Sequence, residues 1–203
     1  RSCCRRHRGL VDAVVSRLRR APFRLLLAAD VPTFAASGVD VLSHLKRLPD
    51  DDRVGVWFRH KTASLDEQHR LLASWASAVP HVRWLVHTHS ELLDVVGERG
   101  VGLHLDGQAD VRQRPNVGDD VFVTTSRHVG DAVDDGALAG VDGVLLSPVF
   151  APTSKPDDTR PALGLDGLRQ QMATCSKPVF ALGGITADSV DDVLQVGVAG
   201  VVV

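Results

Sequence analysis

The sequence predicts an α/β protein, a (β/α)8 barrel of the TIM type, on three observations. Eight short apolar runs alternate with helical patterns along a chain of 203 residues, and eight βα units of that size suit a compact closed barrel. The strand runs are near-continuously apolar rather than alternating, as expected of a parallel sheet covered on both faces. The first run ends in AADVPTF, without the glycine-rich turn that an open doubly wound sheet carries at that point.

Each element follows in order. The chain opens with RSCCRRHRGLVDAVVSRLRR, rich in arginine, with Asp12 as its one acid. Residues 1–22 are expected to form a basic N-terminal extension or helix. Leu10, Val11, Val14, Val15 and Leu18 fall on one side of a helix over 9–20. An arginine-rich, acid-poor segment also fits a targeting remnant. The barrel domain then occupies 23–203. Its strands are expected at 23–29 (FRLLLAA), 53–59 (RVGVWFR), 82–88 (VRWLVHT), 101–105 (VGLHL), 120–124 (DVFVT), 142–147 (DGVLLS), 177–182 (KPVFAL) and 198–203 (VAGVVV). Helical patterns lie at 38–48, 64–78, 90–99, 129–139, 165–173 and 187–195. Ser64 with Glu67 three residues on is a capping box, and Thr186 opens the last helix in a similar way. No helical pattern follows the eighth strand, so the eighth helix is absent or replaced by the N-terminal one. A start at Arg1 and an end inside GVAGVVV read as a piece of a longer protein.

Composition narrows the function. A net charge of -2 leaves no surplus of cations to neutralise a phosphate backbone, which argues against nucleic acid as a partner. No apolar run approaches the length of a membrane span. Cys3 and Cys4 are adjacent and Cys175 stands alone, which fits a reducing, cytoplasmic setting. Cys175 reads as a small apolar filler rather than a nucleophile.

In a barrel of this type, function gathers where strands end and βα loops begin. Those ends carry Asp30, then Arg59, His60 and Lys61, then His87, Thr88 and His89, then His104, Asp106 and Asp110, then Thr125, Arg127 and His128, then Ser154 and Lys155, and finally Gly183 and Gly184. Cations and hydroxyls dominate, a composition suited to a phosphorylated ligand. Trp57, Arg59 and Lys61 alternate and so share one face of an extended segment. Gly183 and Gly184 lie between a buried strand and a helix, where missing Cβ atoms admit a ligand to backbone N–H groups. The same glycines also suit a tight turn. Residues 151–162 hold three prolines, which exclude a regular element there.

Four segments in this order resemble the thiamine phosphate synthase and TenI-like thiazole tautomerase superfamily. VWFRHKTAS is similar to its Arg-x-Lys pattern after strand two, and GLHLDGQAD to its Gly-x-His-Leu-Gly-Gln-x-Asp stretch. SPVFAPTSKP resembles its strand-six loop and PVFALGGITADSV its Gly-Gly-Ile-Thr segment. The resemblance spans most of 23–203. It implies a transferase of thiamine biosynthesis that joins an aminopyrimidine diphosphate to a thiazole phosphate and releases pyrophosphate with Mg²⁺. Arg59, Lys61 and Lys155 are implied to hold the diphosphate and its leaving group. Thr125 stands where the family has Ser, while Ser154, Gly183 and Gly184 take the thiazole phosphate. Asp110 or Asp106 is the implied metal carboxylate.

The chain also departs from that pattern. Trp57 replaces the family's Gln, His60 its Glu, and His87-Thr88-His89 the Asn-Asp pair whose Asp helps to hold Mg²⁺. The tautomerase needs no metal and uses a His near the end of strand five, where His128 lies beside the aligned Arg127. Three alternatives to the synthase therefore stand: that tautomerase, a non-catalytic relative that binds phosphorylated ligands, and a zinc hydrolase built on His87-x-His89. An oligomer is compatible with the sequence.

Overall fold

The computed structural model describes residues 21–151 and 160–203. Eight strands form a closed parallel barrel in sequential order: β1 (Leu25–Asp30), β2 (Val54–Arg59), β3 (Arg83–His87), β4 (Gly100–Leu105), β5 (Phe122–Arg127), β6 (Gly143–Leu146), β7 (Val179–Leu182) and β8 (Gly200–Val202). The barrel closes where Leu25 and Leu26 of β1 pair with Val201 and Val202 of β8. Each strand lies within a few residues of its predicted position. Buried on both faces, these strands are apolar almost throughout, and that is why they were legible.

Alternation along each strand sorts residues into two cores. One parity points into the barrel, where Phe23, Leu26, Trp57, Leu85, Phe122, Leu145 and Phe180 pack together with Val202. Phe23 fills the lower end because β2 carries Gly55 there; a Cβ at that position would stand 2.3 Å from the Phe23 ring. The opposite parity points outward and packs beneath the helices, as Val56, Phe58, Trp84 and Val86 do against Leu72 and Trp75.

The helices are α1 (Val31–Ser37), α2 (Val41–Leu45), α3 (Leu65–Ala78), α4 (Leu92–Val96, continued by a 3-10 turn at Gly97–Arg99), α5 (Gly164–Met172) and α6 (Val190–Gln195). The capping box at α3 forms: Ser64 accepts from the Glu67 N–H while the Glu67 carboxylate accepts from the Ser64 N–H. The expected helix over 38–48 is split instead. Gly38 adopts a left-handed φ of 67° and stops α1, and Asp40 then caps α2. The expected helix over 129–139 does not form. Asp131 accepts from the His128 N–H, and Asp134 from the N–H groups of Gly136 and Ala137. These short carboxylates bind the backbone locally in place of helical carbonyls. The last helix begins at Val190 rather than 187, because Thr186 is tied into a turn with Ser189. Among the described residues no helix is long and apolar enough to cross a membrane. The expected helix at 9–20 lies outside the described residues.

Candidate active site at the carboxyl ends of the strands

Inward parity carries one set of side chains to the carboxyl end of the barrel, around a cavity of about 570 Å³. Asp30 and Arg59, Trp57, His87, His104, Ser126, Ser147 and Leu182 all reach it from strands or from the residue just after one, and Lys61, Asp106 and the Gly183–Gly184 turn close its rim.

The rim carries two cation–carboxylate pairs and the floor is neutral. Arg59 forms an ion pair with Asp30, its register partner on β1, and its guanidinium carbon lies 5.9 Å from the centroid of the Trp57 ring. Lys61 Nζ donates to Asp106 Oδ2 at 2.5 Å. That bond, helped by the Gln108 N–H, holds the Asp106 carboxyl below its ordinary range. Beneath lie two stacked imidazoles, His87 and His104, with ring centroids 5.6 Å apart, and Trp57 packs 4.4 Å from His104. Burial, with Lys61 and Arg59 overhead, pushes His87 down to about 4. Burial and the neighbouring His87 drive His104 well below its usual value too. Both rings are therefore uncharged at neutral pH, and the positive charge of this wall resides on Arg59 and Lys61. His104 bridges Thr124 Oγ1 at 2.9 Å and Ser126 Oγ at 3.1 Å. Trp57 Nε1 and His87 Nδ1 are buried without a hydrogen-bond partner among the described residues.

On the far wall, His128 Nδ1 lies 2.8 Å from the Ser147 carbonyl oxygen and its Nε2 lies 2.8 Å from Arg160 Nη1. Nδ1 also lies 3.1 Å from Ser147 Oγ and 3.2 Å from the same Arg160 Nη1, so the ring is held between Ser147 and Arg160. His128, expected beside the aligned position, lines the cavity itself.

Several expectations need correction. Thr125 is fully buried on the outward face of β5, where its hydroxyl accepts from Arg127 at 3.3 Å. The strand runs to Arg127 rather than stopping at 124, so the hydroxyl presented to the cavity belongs to Ser126. Asp110 does not line the cavity: it sits exposed, is clasped by Arg112 at 2.9 and 3.0 Å, and is held down to about 2 by that contact. Asp106 lines the cavity but is committed to Lys61. His87 and His89 do not share a face. Strand β3 ends at His87, and Thr88 turns the chain with a φ of 65°, which sends His89 out of the cavity lining. Among the described residues no three His, Cys, Asp or Glu side chains are grouped to hold a metal, and the geometric basis of the zinc reading is gone. Gly183 and Gly184 do line the cavity. Both have positive φ, and Cβ atoms there would stand 2.9 Å from Pro148 and 2.7 Å from the Ala151 carbonyl oxygen. The turn itself requires them, and α6 begins six residues later and is one and a half turns long, so its dipole adds little at the glycines. Cys175 is half-buried, with burial raising its thiol. Ser154 and Lys155 lie outside the described residues.

Among the described residues the donor set does not fit a protein-built Mg²⁺ site. Mg²⁺ takes oxygen ligands in octahedral geometry. The cavity's carboxylates, Asp30 and Asp106, each face a cation, and β3 ends in an imidazole.

Sequence reasoning missed Ser126, Ser147 and Arg160, all of which line the cavity. Ser126 was recoverable from parity with Thr124 and His104. Arg160 sits within the proline-broken stretch 151–162, where no periodicity points a side chain.

The closed parallel barrel, with its cavity at the carboxyl ends of the strands, defines the class of (β/α)8-barrel proteins. The chain belongs, more particularly, to the thiamine monophosphate synthase family, whose model matches residues 30–203. It is 35% identical over 126 residues to a thiamine-phosphate synthase of Koribacter versatilis, covering 61% of this chain and 58% of that one. To a thiamine-phosphate synthase of Acidothermus cellulolyticus it is 36% identical over 156 residues, covering 73% and 71%. The chain spans about half the length of the first curated relatives it matches, 58%, 51% and 54%. Its fold is similar to a thiamine phosphate pyrophosphorylase from Pyrococcus furiosus, with a TM-score of 0.66, 21% identity, and coverage of 91% and 86%.

Proposed function

We propose that the chain acts as a thiamine phosphate synthase, joining an aminopyrimidine diphosphate to a thiazole phosphate. The observation that carries this reading is the meeting of Arg59 and Lys61 with the Gly183–Gly184 turn around one cavity. In the reaction, the C–O bond from the pyrimidine methylene to the diphosphate breaks, and its electron pair leaves on the diphosphate oxygen. The thiazole nitrogen then gives its lone pair to the methylene carbon, forming the C–N bond. Negative charge grows on the departing oxygens, and two cations anchored at one strand end stabilise it as it develops. The imidazoles below add no positive charge to the floor, so the cations of this wall that face the diphosphate are Arg59 and Lys61. The glycine turn faces the second phosphate from the opposite side.

The test is a product assay with both substrates across a Mg²⁺ series. Formation of thiamine phosphate and pyrophosphate supports the synthase, and ligand binding without turnover supports a non-catalytic relative. A second reading rests on His128, whose ring is held at the cavity wall between Ser147 and Arg160. An imidazole at that wall suits proton transfer in a thiazole tautomerase. Conversion of the thiazole carboxylate phosphate without metal, abolished by His128→Ala, would select that reading.

A further inference from the structure

We infer that Asp30 is a positioning residue that holds the Arg59 guanidinium in its anion-binding pose. The inference rests on the anion reading proposed above.

Asp30 and Arg59 close the carboxyl ends of adjacent strands and are register partners, so the backbone itself sets their approach. Both side chains are largely buried, at 18% and 19% exposure, which limits solvent screening of the pair. The indole of Trp57 supports the guanidinium from a second side, an arrangement a cation favours over an aromatic face. The Arg59 guanidinium donates to the Asp30 carboxylate. A guanidinium has five N–H donors in a rigid plane. One directed to Asp30 leaves the rest of the fork for phosphoryl oxygens. Without this clamp, a long flexible side chain would have to be ordered on each binding event, at the expense of affinity. The half-exposed Lys61–Asp106 pair has no such second support, so the rim consists of one fixed cation and one adaptable one.

A carboxylate beside an anion site also repels the ligand, so two opposed effects must be separated. Asp30→Asn removes the charge and keeps an acceptor for the guanidinium; Asp30→Ala removes both. The experiment is calorimetric titration of the chain and these variants with inorganic pyrophosphate and with inorganic phosphate, and with Arg59→Ala as a control. Positioning predicts that Asp30→Asn binds pyrophosphate as tightly as the parent or more tightly. Asp30→Ala should bind about tenfold more weakly and lose its preference for pyrophosphate over phosphate. Circular dichroism melts report folding of each variant, and the Asp30→Asn rescue is an outcome that a purely structural role would not produce. Equal or tighter binding by Asp30→Ala relative to Asp30→Asn overturns the inference and makes Asp30 a mere competitor. If Arg59→Ala leaves pyrophosphate binding unchanged, the anion reading of the rim fails, and the Asp30 inference with it.

Discussion

Replacing Gly184 with alanine tests whether the glycine pair is dictated by close packing of the turn that borders the cavity. At a φ of +63°, a residue with a Cβ is destabilised by about 1–2 kcal/mol. The added methyl would also stand 2.7 Å from the Ala151 carbonyl oxygen and 2.8 Å from the Phe150 carbonyl carbon. Both are backbone atoms and cannot rotate aside, so overpacking adds about 1–3 kcal/mol. The sum is about 2–5 kcal/mol, or roughly 5–15 °C in Tm for a chain of this length. Gly38→Ala provides the control, since Gly38 has a φ of +67° but nothing within 4 Å of its Cβ position. It should lose only the backbone part, about 1–2 kcal/mol. Denaturant unfolding of the two variants side by side measures the difference. Equal losses would refute the packing argument and leave the turn's conformation as the sole reason for glycine.

Three further outcomes are expected. Asp110→Ala should leave the Mg²⁺ dependence of product formation unchanged, because the carboxylate is held by Arg112 away from the cavity; a shifted Mg²⁺ titration would reverse that conclusion. His87 titrates near 4 in the folded chain against 6.5 in the unfolded one. Between those values the unfolded state binds more protons, so stability present above pH 6.5 is lost as pH falls toward 4, by about 3 kcal/mol. His87→Asn should make that acid limb shallower in denaturation curves taken across the range, leaving the part due to His104, and an unchanged slope would mean the His87 ring does not contribute. Ser126→Ala removes one of the two hydroxyls that bridge the His104 ring. It should lower stability by about 1 kcal/mol, whereas Thr125→Val, on the outward face, should leave pyrophosphate titration unchanged.

Much of the architecture was legible because it follows from burial. Strands covered on both faces must be apolar throughout, and runs such as VGVWFR and GVLL announce themselves. Inward parity accounts for Trp57 and Arg59 on one face of β2, while Lys61 reaches the same cavity from the turn beyond the strand. The errors share a different origin. At β5 the run FVTTSR loses its apolar signature after Val123, so the strand's end was read too early and Thr125 was placed where Ser126 belongs. At β3 the pattern His-x-His presumes extended backbone, and Thr88 in left-handed conformation breaks it. Over 129–139 the aspartates are as compatible with helix as with turns until their partners are seen. Ion pairs such as Asp30–Arg59 depend on register between strands distant in sequence, which spacing along one strand cannot supply.

The central claim is that Arg59 and Lys61 together stabilise a departing diphosphate. It is tested most directly by kcat/KM for the pyrimidine diphosphate in the Arg59→Ala/Lys61→Ala double variant against the parent chain. The account predicts a fall of at least about a hundredfold with the thermal midpoint little changed. Turnover within about threefold of the parent would contradict it.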